Sequence, residues 1–222
     1  MLTKIRLSLG AVCAVLLAGL VVPAAALAGD LDQQQLIQNG FRGIASSQSG
    51  AQGFTAGRTG LLDQVDLDLQ KSNSPPVLTV ELRDISAGIP GNQVLATGTV
   101  QAASVPTSVG FVPLVFPTPA QVVTGNQYAI VISTAASGSN SYLWADKGPD
   151  VYAGGIESLD SPPGSGWLAQ PNYDFAFKTY VAPPSSAPAL TGQRAAALKK
   201  CKKKKTKQAR KRCRNRAKKL PL

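Results

Sequence analysis

The sequence predicts an all-β fold, a jelly-roll-like antiparallel sandwich of about 8–10 strands. Three observations carry this. Several short runs alternate apolar and polar residues with a period of two, as half-buried strands do. Turn signals recur roughly every 8–12 residues between those runs. The 222 residues include 21 Gly and 16 Pro but are only 6% aromatic, a turn-rich composition suited to many short strands. A closed barrel is the competing architecture.

Residues 1–28 have a basic start (Lys4, Arg6), an apolar run from Leu7 to Val22 and the small-residue stretch Ala26-Leu27-Ala28. That is the layout of a secretory leader cleaved after Ala28. The alternative is an uncleaved anchor, because the run approaches the ~17-residue lower limit for spanning a bilayer. Residues 29–51 form a polar, Gly-rich lead-in, with a short helix expected over Asp32–Asn39 and stopped by Gly40.

The sandwich is assigned to residues 52–181, starting with a strand at Gly53–Ala56 and a turn at Gly57–Gly60. Gln64–Arg83 then predicts a hairpin: Val65, Leu67 and Leu69 alternate with Asp66, Asp68 and Gln70, and Leu78, Val80 and Leu82 alternate with Thr79, Glu81 and Arg83. Ile89-Pro90-Gly91-Asn92 has the residues of a type II turn. Further strands are expected at Val94–Gln101, Val109–Phe116, Gln127–Thr134, Ser141–Ala145, Val151–Gly155 and Tyr173–Val181, with a loop over Ser158–Trp167. Residues 182–193 read as a Pro/Ser/Ala linker and 194–222 as a basic tail.

Charge is divided along the chain. Residues 29–193 hold six basic side chains and all 12 acidic ones, whereas residues 194–222 hold 15 Lys and Arg and no acid. Such asymmetry predicts a neutral-to-acidic body with a polyanion-binding tail; the bland alternative is a solubilising one. The candidate polyanion ligands are Lys199, Lys200, Lys202, Lys203, Lys204, Lys205, Lys207, Arg210, Lys211, Arg212, Arg214, Arg216, Lys218 and Lys219. With a leader placing the tail outside the cell, anionic envelope polymers or the membrane surface are the expected partners, in preference to nucleic acid.

There is no histidine. Ser-His-Asp and Cys-His catalysis and His-ligated zinc are therefore excluded. The remaining enzyme route is a carboxylate pair acting on extracellular polysaccharide, and Glu81 and Glu157 are the only glutamates. Nothing marks one as acid and the other as base, so no catalytic residue is assigned and a non-enzymatic binding module is expected. A purely structural envelope protein is a third reading. No cofactor is expected; Asp63, Asp66 and Asp68, or Asp146 and Asp150, are the carboxylates that a structural Ca²⁺ would draw on.

Tyr142 and Trp144 fall on one face of a short strand, with Tyr152 and Trp167 nearby among Gly and Pro. Rings beside loops suit stacking on a sugar, and Asn140, Asp146 and Asn172 offer partners to hydroxyls. The alternative is that these rings plug the end of the sandwich, since buried aromatics carry large apolar area. A glycan or protein ligand on the body is thus a candidate partner.

Several segments together resemble the bacterial choice-of-anchor type surface domains. They are Gln52-Gly53-Phe54-Thr55-Ala56-Gly57; Leu62, Val65, Leu67 and Leu69; Val80-Glu81-Leu82-Arg83 with Pro90-Gly91; Tyr128-Ala129-Ile130-Val131-Ile132; Trp144; Tyr152-Ala153-Gly154-Gly155; and Asp174 through Tyr180. The resemblance covers residues 52–181. It implies a secreted jelly-roll-like sandwich at the cell surface, with no catalytic residues to carry over. Where that pattern has a hydrophobic helix or sorting motif, this chain has its Cys-containing basic tail, similar to tails of exported actinobacterial proteins.

Cys201 and Cys213 are the only cysteines beyond the leader. Leu198, Cys201, Ala209, Cys213, Ala217 and Leu220 share one stripe of a helical wheel, with Thr191 a candidate cap and Pro221 a stop. One continuous helix would hold the cysteines ~18 Å apart, beyond the ~7 Å that a bridge tolerates. The expectation is a hairpin bent around Thr206–Gln208 that closes its own disulfide, the alternative being a bridge to a second chain.

Overall fold

The computed structural model describes residues 28–183 and 192–219. The strands are β1 (Asp30–Gln35), β2 (Gly40–Ile44), β3 (Ser49–Thr55), β4 (Gly60–Ser72), β5 (Leu78–Ser86), β6 (Ile89–Val100), β7 (Gly110–Val122), β8 (Gln127–Thr134), β9 (Ser141–Lys147), β10 (Glu157–Asp160), β11 (Trp167–Gln170), β12 (Asp174–Phe175) and β13 (Phe177–Ala182). They form two antiparallel sheets packed as a sandwich. One has seven strands, and the other six in the order β11-β10-β3-β8-β5-β6. The described basic segment forms two helices, α1 (Gly192–Lys202) and α2 (Lys207–Ala217), joined by a disulfide.

In the seven-stranded sheet β4 is the hub. One edge pairs with β7 along its length; the other pairs with β13 up to Leu67 and then with β9 from Leu69. Ala176 marks the division. Its carbonyl accepts from the Asp68 backbone N–H at 3.3 Å and from Trp144 Nε1 at 2.9 Å, and its N–H donates to the Ala145 carbonyl. These bonds split what the sequence predicts as one closing strand into β12, paired with β9, and β13, paired with β4. The free edge of β7 carries Pro113, Pro117 and Pro119, and its register against β4 slips where the last two fall. Proline is tolerated on such an edge and denies a neighbouring chain a ladder partner.

The core lies between the sheets. Val65, Leu67 and Leu69 of β4 and Leu78, Val80 and Leu82 of β5 are all fully buried, as the alternation predicts. They do not form a hairpin, however. β4 and β5 belong to opposite sheets, and β5 pairs with β6 and β8. An apolar alternation specifies which face points inward, and two facing sheets satisfy it as well as two paired strands do.

Other boundaries also differ from expectation. Asp32–Asn39 is not helical: β1 takes Asp30–Gln35 as an edge strand on β13, with the Gln33 N–H donating to Thr179 Oγ1 at 3.0 Å. Among the described residues the sandwich therefore takes in β1 from Asp30, and 13 strands replace 8–10. Val151–Gly155 is irregular, and the expected loop 158–167 contains β10 and the start of β11. The turn expected at Ile89–Asn92 sits instead at Ala87–Gly88, with φ of 51° and 82°, between the paired residues Ser86 and Ile89. Two positive φ values make a two-residue turn that follows the strand twist. Thr191, Pro221, residues 184–191 of the linker and residues 1–27 of the leader lie outside the described residues.

Tyr142 and Trp144 point into the core and are fully buried. Trp144 stacks on Phe175 with centroids 4.0 Å apart and planes at 7°, and the Tyr142 hydroxyl donates to the Pro76 carbonyl at 2.7 Å. Both rings are shut off from solvent, which leaves neither open to a ligand. The plug reading of these two rings holds.

Two outcomes follow. Trp144→Ala empties a fully packed, hydrogen-bonded site and is expected to cost about 3–5 kcal/mol in urea unfolding. Ala87→Asn supplies the residue that the positive-φ turn favours and should raise stability by roughly 1 kcal/mol in the same measurement.

Candidate functional site

At one end of the sandwich, polar side chains cross between the sheets. Gln52, on β3, is fully buried. Its Oε1 accepts from the Phe175 N–H at 2.6 Å, and its Nε2 donates to Asp174 Oδ1 at 3.2 Å and to the Gly53 carbonyl at 3.0 Å. Asp174 Oδ2 accepts from the backbone N–H groups of Val151 and Tyr152, each at 2.9 Å, and so pins the irregular 148–156 segment. Beside this seam, Arg42 of β2 reaches across to Glu157 of β10. Its Nε lies 2.8 Å from Glu157 Oε1 and 3.0 Å from Asp146 Oδ2.

Arg42 opens onto a cleft of about 600 Å³ lined by Asn39, Phe41, Arg42, Asp146, Asn172 and Tyr173, with Gly148 and Pro149 at its rim. The guanidinium carbon sits 4.4 Å from the centre of the Tyr173 ring, a cation–π contact. Gly148 has no room for a side chain, because a Cβ would stand 2.6 Å from Tyr173 Cε1. Asn39 holds that loop with both ends of its amide: Nδ2 donates to the Gly148 carbonyl at 2.8 Å, and Oδ1 accepts the Gly148 N–H at 3.1 Å. Phe41 is 42% exposed and Tyr173 37%, so these rings are open where Tyr142 and Trp144 are closed.

Burial dominates the electrostatics. It pushes Glu157 up to about 7, against the pull of Arg42 and helped by the charges of Asp146 and Asp174. Glu157 Oε2 has no hydrogen-bond partner among the described residues. Asp146 is raised by burial with Arg42 opposing, and Asp174 is raised by burial despite its N–H donors. Asp146 and Glu157 do face one space, but the Arg42 guanidinium fills it. A catalytic acid and base need that space for the bond they cleave.

The remaining sequence candidates go elsewhere. The Tyr152 ring packs edge-on against Phe177 at 5.2 Å and its hydroxyl donates to Gln33 Oε1 at 2.9 Å; burial pushes its hydroxyl up to about 12. Trp167, on the edge strand β11, lines a separate cleft with residues of the β5–β6 turn. Asn140 accepts from the Ser74 N–H at 3.1 Å and fastens a loop. Of the proposed ligand set, only Asp146 and Asn172 are brought together. Phe41, Arg42 and Tyr173 join them, and Gly40-Phe41-Arg42-Gly43 in an otherwise polar stretch was the one available signal.

The acids considered for a cation are also engaged. Asp63 accepts the Gly29 N–H, and Asp66 accepts from Gln64 Nε2 and the Tyr180 hydroxyl at 2.7 and 2.8 Å. Asp68 is raised by burial, with Lys178 opposing. Asp150 accepts the Tyr152 N–H at 3.0 Å. Glu81 pairs with Arg83 on the outer face of β5, away from Glu157. Among the described residues, no group of three potential ligands gathers around one point.

No protein-family model matches the chain, and no curated protein matches it. Among solved structures, it is similar to the crystal structure of the cysteine protease and lectin-like domains of a surface layer associated protein of Clostridium difficile. The identity is 18% and the TM-score 0.41, over 61% of this chain and 33% of that one. The chain thus spans about a third of that structure, a likeness too slight to transfer a ligand or an activity.

The buried glutamate has a measurable consequence. Its folded pKa, about 7, lies above the unfolded value of 4.5, so the folded state holds the proton more tightly. Glu157 therefore contributes fully below pH 4.5, and that contribution is lost as pH rises to about 7, on the order of 3 kcal/mol in all. Urea unfolding between pH 4.5 and 8 should show this slope in the wild type, and Glu157→Gln should flatten it.

Proposed function

We propose that this protein is an exported, non-enzymatic binding module. Its sandwich takes a neutral, hydroxyl-rich ligand, a glycan, in the Arg42 cleft, and its basic hairpin holds it against an anionic envelope surface. The observation that carries the reading is the pair of open rings, Phe41 and Tyr173, beside hydrogen-bonding groups in one cleft. Sugar rings present apolar C–H faces that pack on aromatic rings and hydroxyls that need such partners. Arg42 faces two carboxylates, which leaves the cleft without the net positive charge that would favour an anion. Asn172 is exposed, and the terminal nitrogens of Arg42 make no hydrogen bond among the described residues, so both have capacity for ligand hydroxyls.

Export is supported by the leader-like residues 1–28 and by the Cys201–Cys213 disulfide, which persists in oxidising compartments. The likeness of residues 52–181 to choice-of-anchor surface domains agrees with a place at the cell surface. The 15 basic residues of the tail supply long-range attraction to a surface rich in phosphate or carboxylate.

A glycan array probed with the chain from Gly29 to Leu222 at high salt, where the tail's charge is screened, tests the cleft. Wild-type protein is expected to bind a subset of glycans, and Phe41→Ala to weaken those signals about tenfold or more. Because Phe41 is exposed, its removal should leave unfolding within about 0.5 kcal/mol. Array binding that survives both Phe41→Ala and Tyr173→Ala would place recognition outside the cleft.

A further inference from the structure

α1 and α2 are each 11 residues long, below the ~12–15 residues at which isolated helices become even marginal in water. Their common interior is slight. Cys201 and Ala217 are buried, while Ala197, Leu198, Ala209 and Cys213 are only partly covered. Against this stand 15 cations and no acid in residues 192–219. Apolar contact of that size does not hold two like-charged helices side by side; the Cys201–Cys213 bridge does, with its Cα atoms 5.4 Å apart. Thr206 then starts α2, its hydroxyl accepting the Ala209 N–H at 3.2 Å.

The closed hairpin sorts the residues of α2 onto two faces. Ala209, Cys213 and Ala217, four apart, face α1. On the opposite face Lys207, Lys211, Arg214 and Lys218 fall in one exposed stripe flanked by Arg210. At 1.5 Å per residue, successive charges of that stripe are spaced ~4.5–6 Å along the axis. A straight row of closely spaced cations is complementary to a linear polymer that carries oxyanions along its length, and Arg and Lys suit either phosphate or carboxylate there. The stripe holds no apolar side chain to enter a bilayer, as interfacial helices require.

We infer that the disulfide-closed hairpin is a preorganised grip for an extended linear polyanion, gripping it along the α2 stripe. The inference rests on the polyanion-docking part of the function proposed above. Closing the loop before binding removes an ordering cost that an open segment meets on contact. Affinity should therefore depend on the bridge as well as on charge.

Binding of the oxidised chain, Gly29 to Leu222, is measured against poly(glycerol phosphate), polygalacturonate and phosphatidylglycerol vesicles. Either polymer is expected to bind, and the two identify phosphate or carboxylate as the preferred oxyanion. Cys201→Ser with Cys213→Ser keeps every charge; it should lose helix by far-UV circular dichroism and weaken polymer binding about tenfold. Lys211→Gln with Arg214→Gln should weaken binding more than Lys199→Gln with Lys200→Gln, and lower the salt slope by about two. Equal affinity of the serine variant and wild type, equal effects of the two charge pairs, or preference for vesicles would overturn the inference. Truncation after Pro183 separates the two claims: unchanged polymer binding without the hairpin removes the docking function itself.

Discussion

Gln52 and Asp174 tie the two sheets together where their hydrophobic faces end. Gln52 belongs to one sheet, and Asp174 and Phe175 to the other, yet a single buried amide bonds to both. Leucines and valines can pack two sheets face to face in many relative positions, because dispersion and burial are non-directional. A buried amide cannot: each displaced bond leaves a desolvated polar group at a cost of about 1–3 kcal/mol. The seam therefore selects one alignment from those that the core alone would permit.

That alignment builds the cleft. With Asp174 fixed, its free oxygen holds Val151 and Tyr152, and Tyr173 is carried to the rim beside Gly148. Arg42 completes the crossing by bridging Asp146 and Glu157. Burial takes water from the Glu157 carboxyl, and the charges of Asp146 and Asp174 add to that against the pull of Arg42, which is why Glu157 holds its proton near neutrality. Stability is given up there while the geometry is kept. An apolar end would pack more cheaply, but it would not hold exposed rings beside hydrogen-bonding groups.

The basic hairpin obeys a different rule. Its order comes from one covalent link, since neither length, apolar area nor charge favours two adjacent helices. The sandwich has its order distributed over an extended core and paired strands, so losing one contact weakens it by degrees. The hairpin concentrates its order in a single bond, and its charge then faces outward without competing for an interior.

Much of this was already written in the sequence. Period-two runs placed Val65, Leu67, Leu69, Leu78, Val80 and Leu82 in the core, and Gln127–Thr134 matches β8 to the residue. One helix cannot bridge Cys201 to Cys213, which left a bent tail or a bridge to a second chain; the chain bends, at residues 203–206 rather than Thr206–Gln208, because Thr206 caps α2 and Gln208 lies within it. Alternation states which side of a strand is apolar and nothing about which sheet it joins, so β4 and β5 could be separated only in three dimensions. The polar run Asp30–Gln35 becomes a strand because β13 offers an open edge, a partner 146 residues away from Gln33 in the chain. The site was hidden for the same reason. Asp146 and Glu157 stood out in the sequence, but nothing there set them beside Arg42 and Tyr173, and their joint chemistry exists only after packing removes water from the carboxylates and leaves the rings of Phe41 and Tyr173 in it. Local pattern determined what each segment must bury; long-range pairing decided what each would stand beside.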